Sequence, residues 1–287
     1  MLYGIACALE ELPVTQPVVL RGSIESVCQT AKKTGYSAIE LHVRDPKRYN
    51  TDEINKITTD FGLSVCAVAN GMEYTVNGLS LIDENKNRRE AAVARIFEHV
   101  NFAAALNAKL IVGIMRGNVP RGGSAGHCLE TFAEVLVRIC EYAAKMKTEV
   151  VLESILRYIN NYLCSVKETM DFITSINKPN LSLHIDTHSM AIEERSMRES
   201  ILYCMGKPLG YVHYSDNNRC YPGGGALDFR EITNTLMRIG YRGFITAECL
   251  PFPNPEECAK RAFDYMKSVE KIIGIENETI ANNINGA

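Results

Sequence analysis

A single (β/α)8 barrel is the fold the sequence predicts. Three observations carry that expectation: a length of 287 residues, close to the usual size of one such barrel; eight alternations of a short β-branched apolar run with a stretch of helical period; and a mean spacing of about 36 residues per alternation. No Pro-, Ser- or charge-rich linker divides the chain, so residues 1–287 are read as one domain. The polar tail 275–287 is expected to be loose or used in assembly.

The elements follow in order. The first strand is expected at 2–8 (LYGIACA) and the first helix at 23–34, closed by Gly35 as a C-cap. Strand two at 37–42 (SAIELH) precedes a helix at 51–61, closed by Gly62, and strand three falls at 64–69 (SVCAVA). The helix at 87–106 shows Val93, Ile96, Phe97, Val100 and Ala104 at three- and four-residue spacing, the signature of one buried face. Strand four at 109–114 (KLIVGI) leads to a helix at 126–146, strand five at 149–153 (EVVLE) to one at 165–175, and strand six at 181–186 (LSLHID) to one at 191–205. Strand seven at 210–214 (GYVHY) is followed by a helix at 228–239, with Asp228 as N-cap and Gly240 closing it. Strand eight at 243–248 (GFITAE) and a helix at 255–273 complete the ring.

Composition narrows the function classes. Lys+Arg 31 against Asp+Glu 34 gives a net charge of −3, which supplies no basic field for nucleic acid or an anionic membrane. The longest apolar runs, such as 109–115, are too short to span a bilayer. The N-terminal MLYGIACALEELP lacks a basic segment and meets Glu10 and Glu11, so no secretory leader is expected. Ten cysteines without a CxxC pair, several in apolar stretches, read as buried thiols of a reducing compartment, and the cytoplasm is the expected location.

In this fold the strand ends and the loops after them build the site. Strand five ends on Glu153, strand six on Asp186, strand seven carries His213 near its end, and strand eight ends on Glu248. A lone acid at a strand end is usually a helix cap or a solvated loop residue. Four such groups in succession, 33, 27 and 35 residues apart, converge on one rim. Carboxylates crowded there repel one another unless a positive charge sits among them. One divalent cation removes the difficulty, and three carboxylates with one imidazole form a hard donor set suited to Mn²⁺, with Mg²⁺ or Co²⁺ as alternatives.

Longer motifs carry a resemblance. AIELHVRDP (38–46), NGLSL (77–81), VLESILRY (151–158), LHIDTHSM (183–190), VHYSDNNRCYPGGGALDF (212–229) and AECLPFP (247–253) resemble the xylose-isomerase-like sugar isomerase and epimerase superfamily. Within it they are similar to the ketose 3-epimerase branch of tagatose 3-epimerase-like and keto-gluconate epimerase-like proteins. The resemblance implies that Glu153, Asp186, His213 and Glu248 are metal ligands, that Glu153 and Glu248 are also the catalytic acid/base pair, and that Arg219 reaches the substrate. The implied reaction is epimerisation of a keto-sugar or keto-sugar acid. One carboxylate removes the proton next to the carbonyl and the other returns it to the opposite face of an enediolate stabilised by the cation. Two positions depart from the branch pattern. Ile159 stands where a second Glu is usual, and the run Asp186-Thr187-His188-Ser189 places its imidazole one residue early, so either His188 or Ser189 makes that substrate contact.

Other rim residues are weighed singly. Asn70 after strand three, Arg44 and Asp45 after strand two, and Arg116 after strand four are candidate substrate contacts, against the plainer reading of solvated loops. Arg116 and Arg121 lie in the Gly-rich segment 116–126, a candidate lid; Gly223 to Gly225 could offer backbone N–H groups to a phosphate. Glu40 is a candidate buried partner of one of these arginines. His184 alternates with Asp186 and is expected on the inward side of strand six, behind a metal ligand. His99 and His127 read as structural.

The rival readings are an aldose–ketose isomerase of hydroxypyruvate type, an inosose dehydratase-like lyase, and a sugar-binding barrel without catalysis. DNA phosphodiester cleavage of the endonuclease IV-like kind is disfavoured by the charge. The expected partners are a small sugar or sugar acid and further copies of the chain in a homo-oligomer, with no nucleic acid and no membrane.

Overall fold

The computed structural model describes residues 1–285, with side chains described as far as Glu276. Eight parallel strands close into a barrel: β1 (Leu2–Ala8), β2 (Ala38–His42), β3 (Ser64–Ala69), β4 (Lys109–Val112), β5 (Val150–Glu153), β6 (Leu181–Asp186), β7 (Leu209–Tyr214) and β8 (Phe244–Ala247). Closure is made by β1 against β8, with Leu2 opposite Phe244 and Ile5 opposite Ala247. Every strand is covered on its outer side by helices, which is why the runs read as continuously apolar.

The helices are α1 (Ile24–Thr34), α2 (Thr51–Asp60), α3 (Met72–Asn77), α4 (Lys86–Ala105), α5 (Ala125–Lys145), α6 (Val166–Ile176), α7 (Thr187–Glu193), α8 (Met197–Tyr203), α9 (Phe229–Arg238) and α10 (Pro255–Asn285). The expected stops are present. Gly35 adopts φ 112° at the end of α1, and a Cβ there would stand 2.8 Å from the Phe263 ring. Asp228 caps α9 by accepting from the Arg230 and Glu231 N–H groups.

Four features differ from the sequence reading. The helix expected at 191–205 is two helices, because Asp186 starts α7 directly at the strand end and Ser196 restarts the chain as the N-cap of α8. A short helix, α3, follows β3, ended by Gly78 at φ 64°. Strand four stops at Val112, since Ile114–Arg116 form a 3-10 turn. The last helix does not end near 273 but continues through the tail to Asn285; residues 286 and 287 lie outside the described residues. A short strand at Leu20–Arg21 also pairs beside β1, and the Arg21 guanidinium donates to the carbonyls of Leu12, Gln16 and Val18, folding the first loop over the rim.

The barrel interior below the rim is filled. Cys66, Ile111, Val151 and Tyr211 pack there, and the Tyr211 hydroxyl bonds Thr246 Oγ1 at 2.7 Å. Ligand space is therefore confined to the end where the strands finish.

One irregularity sets which side chains reach that end. Leu183 lies opposite Leu209, but His184 lies opposite Tyr211, so Gly210 is an extra residue in β7. The slip brings His213, rather than Val212, into register with Asp186. Only glycine fits: a Cβ at 210 would stand 1.9 Å from Ser182 Oγ and 3.2 Å from Val151. Gly210→Val is expected to destabilise the protein by about 1–3 kcal/mol or more through overpacking, read as a lowered urea midpoint.

Candidate active site

Glu153 is the last residue of β5 and Asp186 the last of β6; His213 lies one residue from the end of β7. β8 ends at Ala247, and Glu248 follows it, still tied to β7 by its N–H to the Tyr214 carbonyl. Glu153, His213 and Glu248 border one cavity of about 470 Å³, a volume suited to a small polar ligand. Asp186 is fully buried at its edge, its Oδ2 4.0 Å from His213 Nδ1. The strand-end reading thus brings together the four groups it named.

Their electrostatics is that of a crowded anionic site. Burial, and then the charge of Glu248, push the Glu153 carboxyl up to about 8. Burial also opposes ionisation of Asp186, but Arg219 and then His213 outweigh it and hold that carboxyl at about 2. Arg219 closes the group by donating from Nη1 to Asp186 Oδ2 and from Nη2 to Glu248 Oε2, both at 2.5 Å. Asp186 is also a helix cap: its Oδ1 accepts from the His188 and Ser189 N–H groups, leaving Oδ2 for the site.

The donor set fits a cation. His213 Nε2 is committed to Glu40 Oε2 at 2.8 Å, which fixes the ring so that Nδ1 faces the carboxylates. That Nδ1 is buried without a hydrogen-bond partner, 3.4 Å from Glu248 Oε2. An unsatisfied buried group costs about 1–3 kcal/mol, and a bound ion would remove the cost.

The substrate contacts expected from sequence divide. Asn70 borders the cavity; its Nδ2 donates to the Ile111 carbonyl while Oδ1 is buried and unpartnered, an acceptor available to a hydroxyl. His188, Ser189 and Arg219 all border the cavity. Arg116 does not. Its side chain is fully buried and donates to the carbonyls of Glu153, Tyr162 and Leu163, so it holds the β5 end and is no substrate contact. The segment after it is no free lid either, as far as Val119. Asn118 donates to the Ile159 carbonyl and accepts from the Asn161 N–H, and Asn161 bonds Val119 in both directions. The glycines at 223–225 are not a phosphate cradle: the Gly223 N–H goes to Asp216 Oδ2, and a Cβ at Gly225 would stand 2.4 Å from Asp216 Oδ1. Arg44 faces Glu10 at 3.8 Å, and Asp45 pairs with Arg95. His99 is structural as expected, held between the Arg95 and Val43 carbonyls. Ile159 borders the cavity where the branch pattern has Glu.

Two residues have roles the sequence reading missed. Glu40 partners no arginine; it is fully buried and accepts from His213 Nε2 and from His42 Nε2 at 2.7 Å. His42 borders the cavity and stands 3.8 Å from Glu248 Oε1. Both alternate inward along β2, the same rule that placed His184 beside Asp186.

Gly113 gives the Glu153 carboxylate its room, since a Cβ there would lie 2.6 Å from Oε2. Gly113→Ala is expected to displace that carboxylate and lower kcat about 10²-fold, with the far-UV circular dichroism unchanged.

Known proteins resemble this chain in sequence and fold. Residues 28–269 match the xylose isomerase-like TIM barrel family. The L-ribulose 3-epimerase of Methylomonas sp. (strain DH-1) is 31% identical over 225 residues, covering 76% of this chain and 75% of that protein. A ketose 3-epimerase of Arthrobacter globiformis is 28% identical over 228 residues, covering 77% and 75%. Among solved structures, one of an L-ribulose 3-epimerase superposes with a TM-score of 0.85 at 21% identity, over 98% of both chains. The family match spans seven of the eight strands and includes Glu153, Asp186, His213, Arg219 and Glu248, so the chain belongs to the xylose isomerase-like TIM barrel family.

Proposed function

We propose that the protein is a divalent-metal-dependent ketose 3-epimerase. The relatives are named epimerases of ketoses, which supports an enzyme of the isomerase class acting on a ketose. The observation that carries the reading is the convergence of Glu153, His213 and Glu248 on one cavity, with Asp186 buried beside His213 and His213 Nδ1 buried and unpartnered among carboxylates. These four residues would hold the cation, a set of three carboxylates and one imidazole able to take Mn²⁺, Mg²⁺ or Co²⁺. When bound, the cation supplies Lewis acidity to the carbonyl and the neighbouring hydroxyl of the sugar.

The chain's own residues move the proton. Glu153 on β5 and Glu248 after β8 approach the cavity from different strands, so a sugar between them presents one face to each. One carboxylate takes the proton from the carbon beside the carbonyl, giving the enediolate, and the other acid returns a proton to the opposite face, which inverts that carbon. Arg219 keeps Asp186 and Glu248 aligned and offers its guanidinium to substrate oxygens, and Asn70, His188 and Ser189 position hydroxyls. Ten unpaired thiols fit a cytoplasmic enzyme. Among the described residues no helix is long and apolar enough to cross a membrane.

The test is incubation of the metal-loaded protein with ketopentoses and ketohexoses in D2O. Solvent deuterium at the inverted carbon is expected. Formation of an aldose would make it an isomerase, loss of one water a lyase, and tight sugar binding without exchange a non-catalytic barrel.

A further inference from the structure

We infer that His184 is a second imidazole ligand of the cation site, so that two nitrogens join the three carboxylates and metals with an affinity for imidazole are selected over Mn²⁺ and Mg²⁺. The inference rests on the metal-dependent reading above and adds to it one ligand and a selectivity.

His184 lies opposite Glu153 in the β5–β6 register, directly beside the first acid of the site. Its ring is fully buried, and neither Nδ1 nor Nε2 has a hydrogen-bond partner. Its ring neighbours are His213, edge-on with centroids 4.1 Å apart, and Tyr211 at 5.3 Å, whose hydroxyl is already engaged with Thr246 and Cys66. A core position needs no polar ring, and an imidazole buried with both nitrogens idle is a worse filler than leucine or methionine. Its place beside two ligands supplies the missing reason. One nitrogen of His184, one carboxylate oxygen of Glu153 and one nitrogen of His213 lie within 4.8 Å of one another. An ion about 2.0–2.2 Å from each ligand bridges such a spread after small side-chain rotations.

A second imidazole softens the donor set. Carboxylates alone suit Mg²⁺ and Mn²⁺, whereas imidazole favours Co²⁺, Ni²⁺ and Zn²⁺. Full-length protein stripped by chelator is titrated calorimetrically with Co²⁺, Mn²⁺ and Mg²⁺ chlorides, beside His184→Gln and His184→Leu. Each substitution is expected to lower Co²⁺ affinity about 10–100-fold and Mn²⁺ affinity less than about threefold, and to shift the visible absorption of the Co²⁺ form. Equal loss for both metals, or no loss, overturns the assignment. X-ray absorption on the native Co²⁺ protein reads the same point without a variant: outer-shell multiple scattering with the amplitude of two imidazoles is expected, and the amplitude of one overturns it. Intact but unselective binding refutes the ligand alone, whereas a native protein that binds no divalent cation refutes the metal-dependent reading with it.

Discussion

Glu153→Gln is expected to lower kcat for epimerisation by about 10²–10⁴-fold. The amide keeps the size and one oxygen of the side chain but neither accepts nor returns the proton. Glu248→Gln is expected to lose as much, and the two variants are expected to differ in direction. If each acid serves one face of the sugar, the variant lacking one of them still exchanges the proton of the epimer that the other attacks. Each epimer is therefore offered separately in D2O and followed by proton NMR. Loss of exchange from both epimers in both variants, with metal binding intact, would show that the acids do not divide the faces between them.

Metal removal is the second large effect, and its sign follows from Glu153. In the cation-free protein this carboxyl holds its proton up to about pH 8, while in the unfolded chain it ionises near the ordinary value of 4.5. Between those limits the unfolded state binds fewer protons than the folded state, so stability is complete below about 4.5 and is lost as pH rises toward 8. One proton bounds the slope at about 1.4 kcal/mol per pH unit. Urea midpoints of chelator-treated protein at pH 5, 6, 7 and 8 are expected to fall along that series. Added Mn²⁺ is expected to raise them most at the alkaline end, where the carboxylate no longer competes with a proton. Midpoints that rise with pH in the absence of metal would refute the protonated Glu153.

Much of this was legible in the sequence because a buried parallel strand tolerates little polarity. An ionisable residue closing such an apolar run therefore stands out, as Glu153, Asp186, His213 and Glu248 do. Partnership was not legible. Glu40 and His213 are 173 residues apart, and their hydrogen bond depends on how β2 and β7 face across the barrel. Arg116 sits in a glycine-rich run that reads as exposed loop, yet the 3-10 turn at Ile114–Arg116 carries its guanidinium onto three carbonyls. The split between α7 and α8 was hidden for a related reason. Asp186 was read as a ligand at the end of a strand, but it also starts a helix, so the apolar spacing at 191–205 runs across a break made by a local cap.

The supernumerary Gly210 has a wider consequence. A residue that touches no ligand decides whether the seventh stave offers the cavity an imidazole or a valine. Were it paired in turn like its neighbours, the amino acids of the rim would stay untouched in the gene and yet Val212 would stand beside Asp186, an inert enclosure made from the same letters.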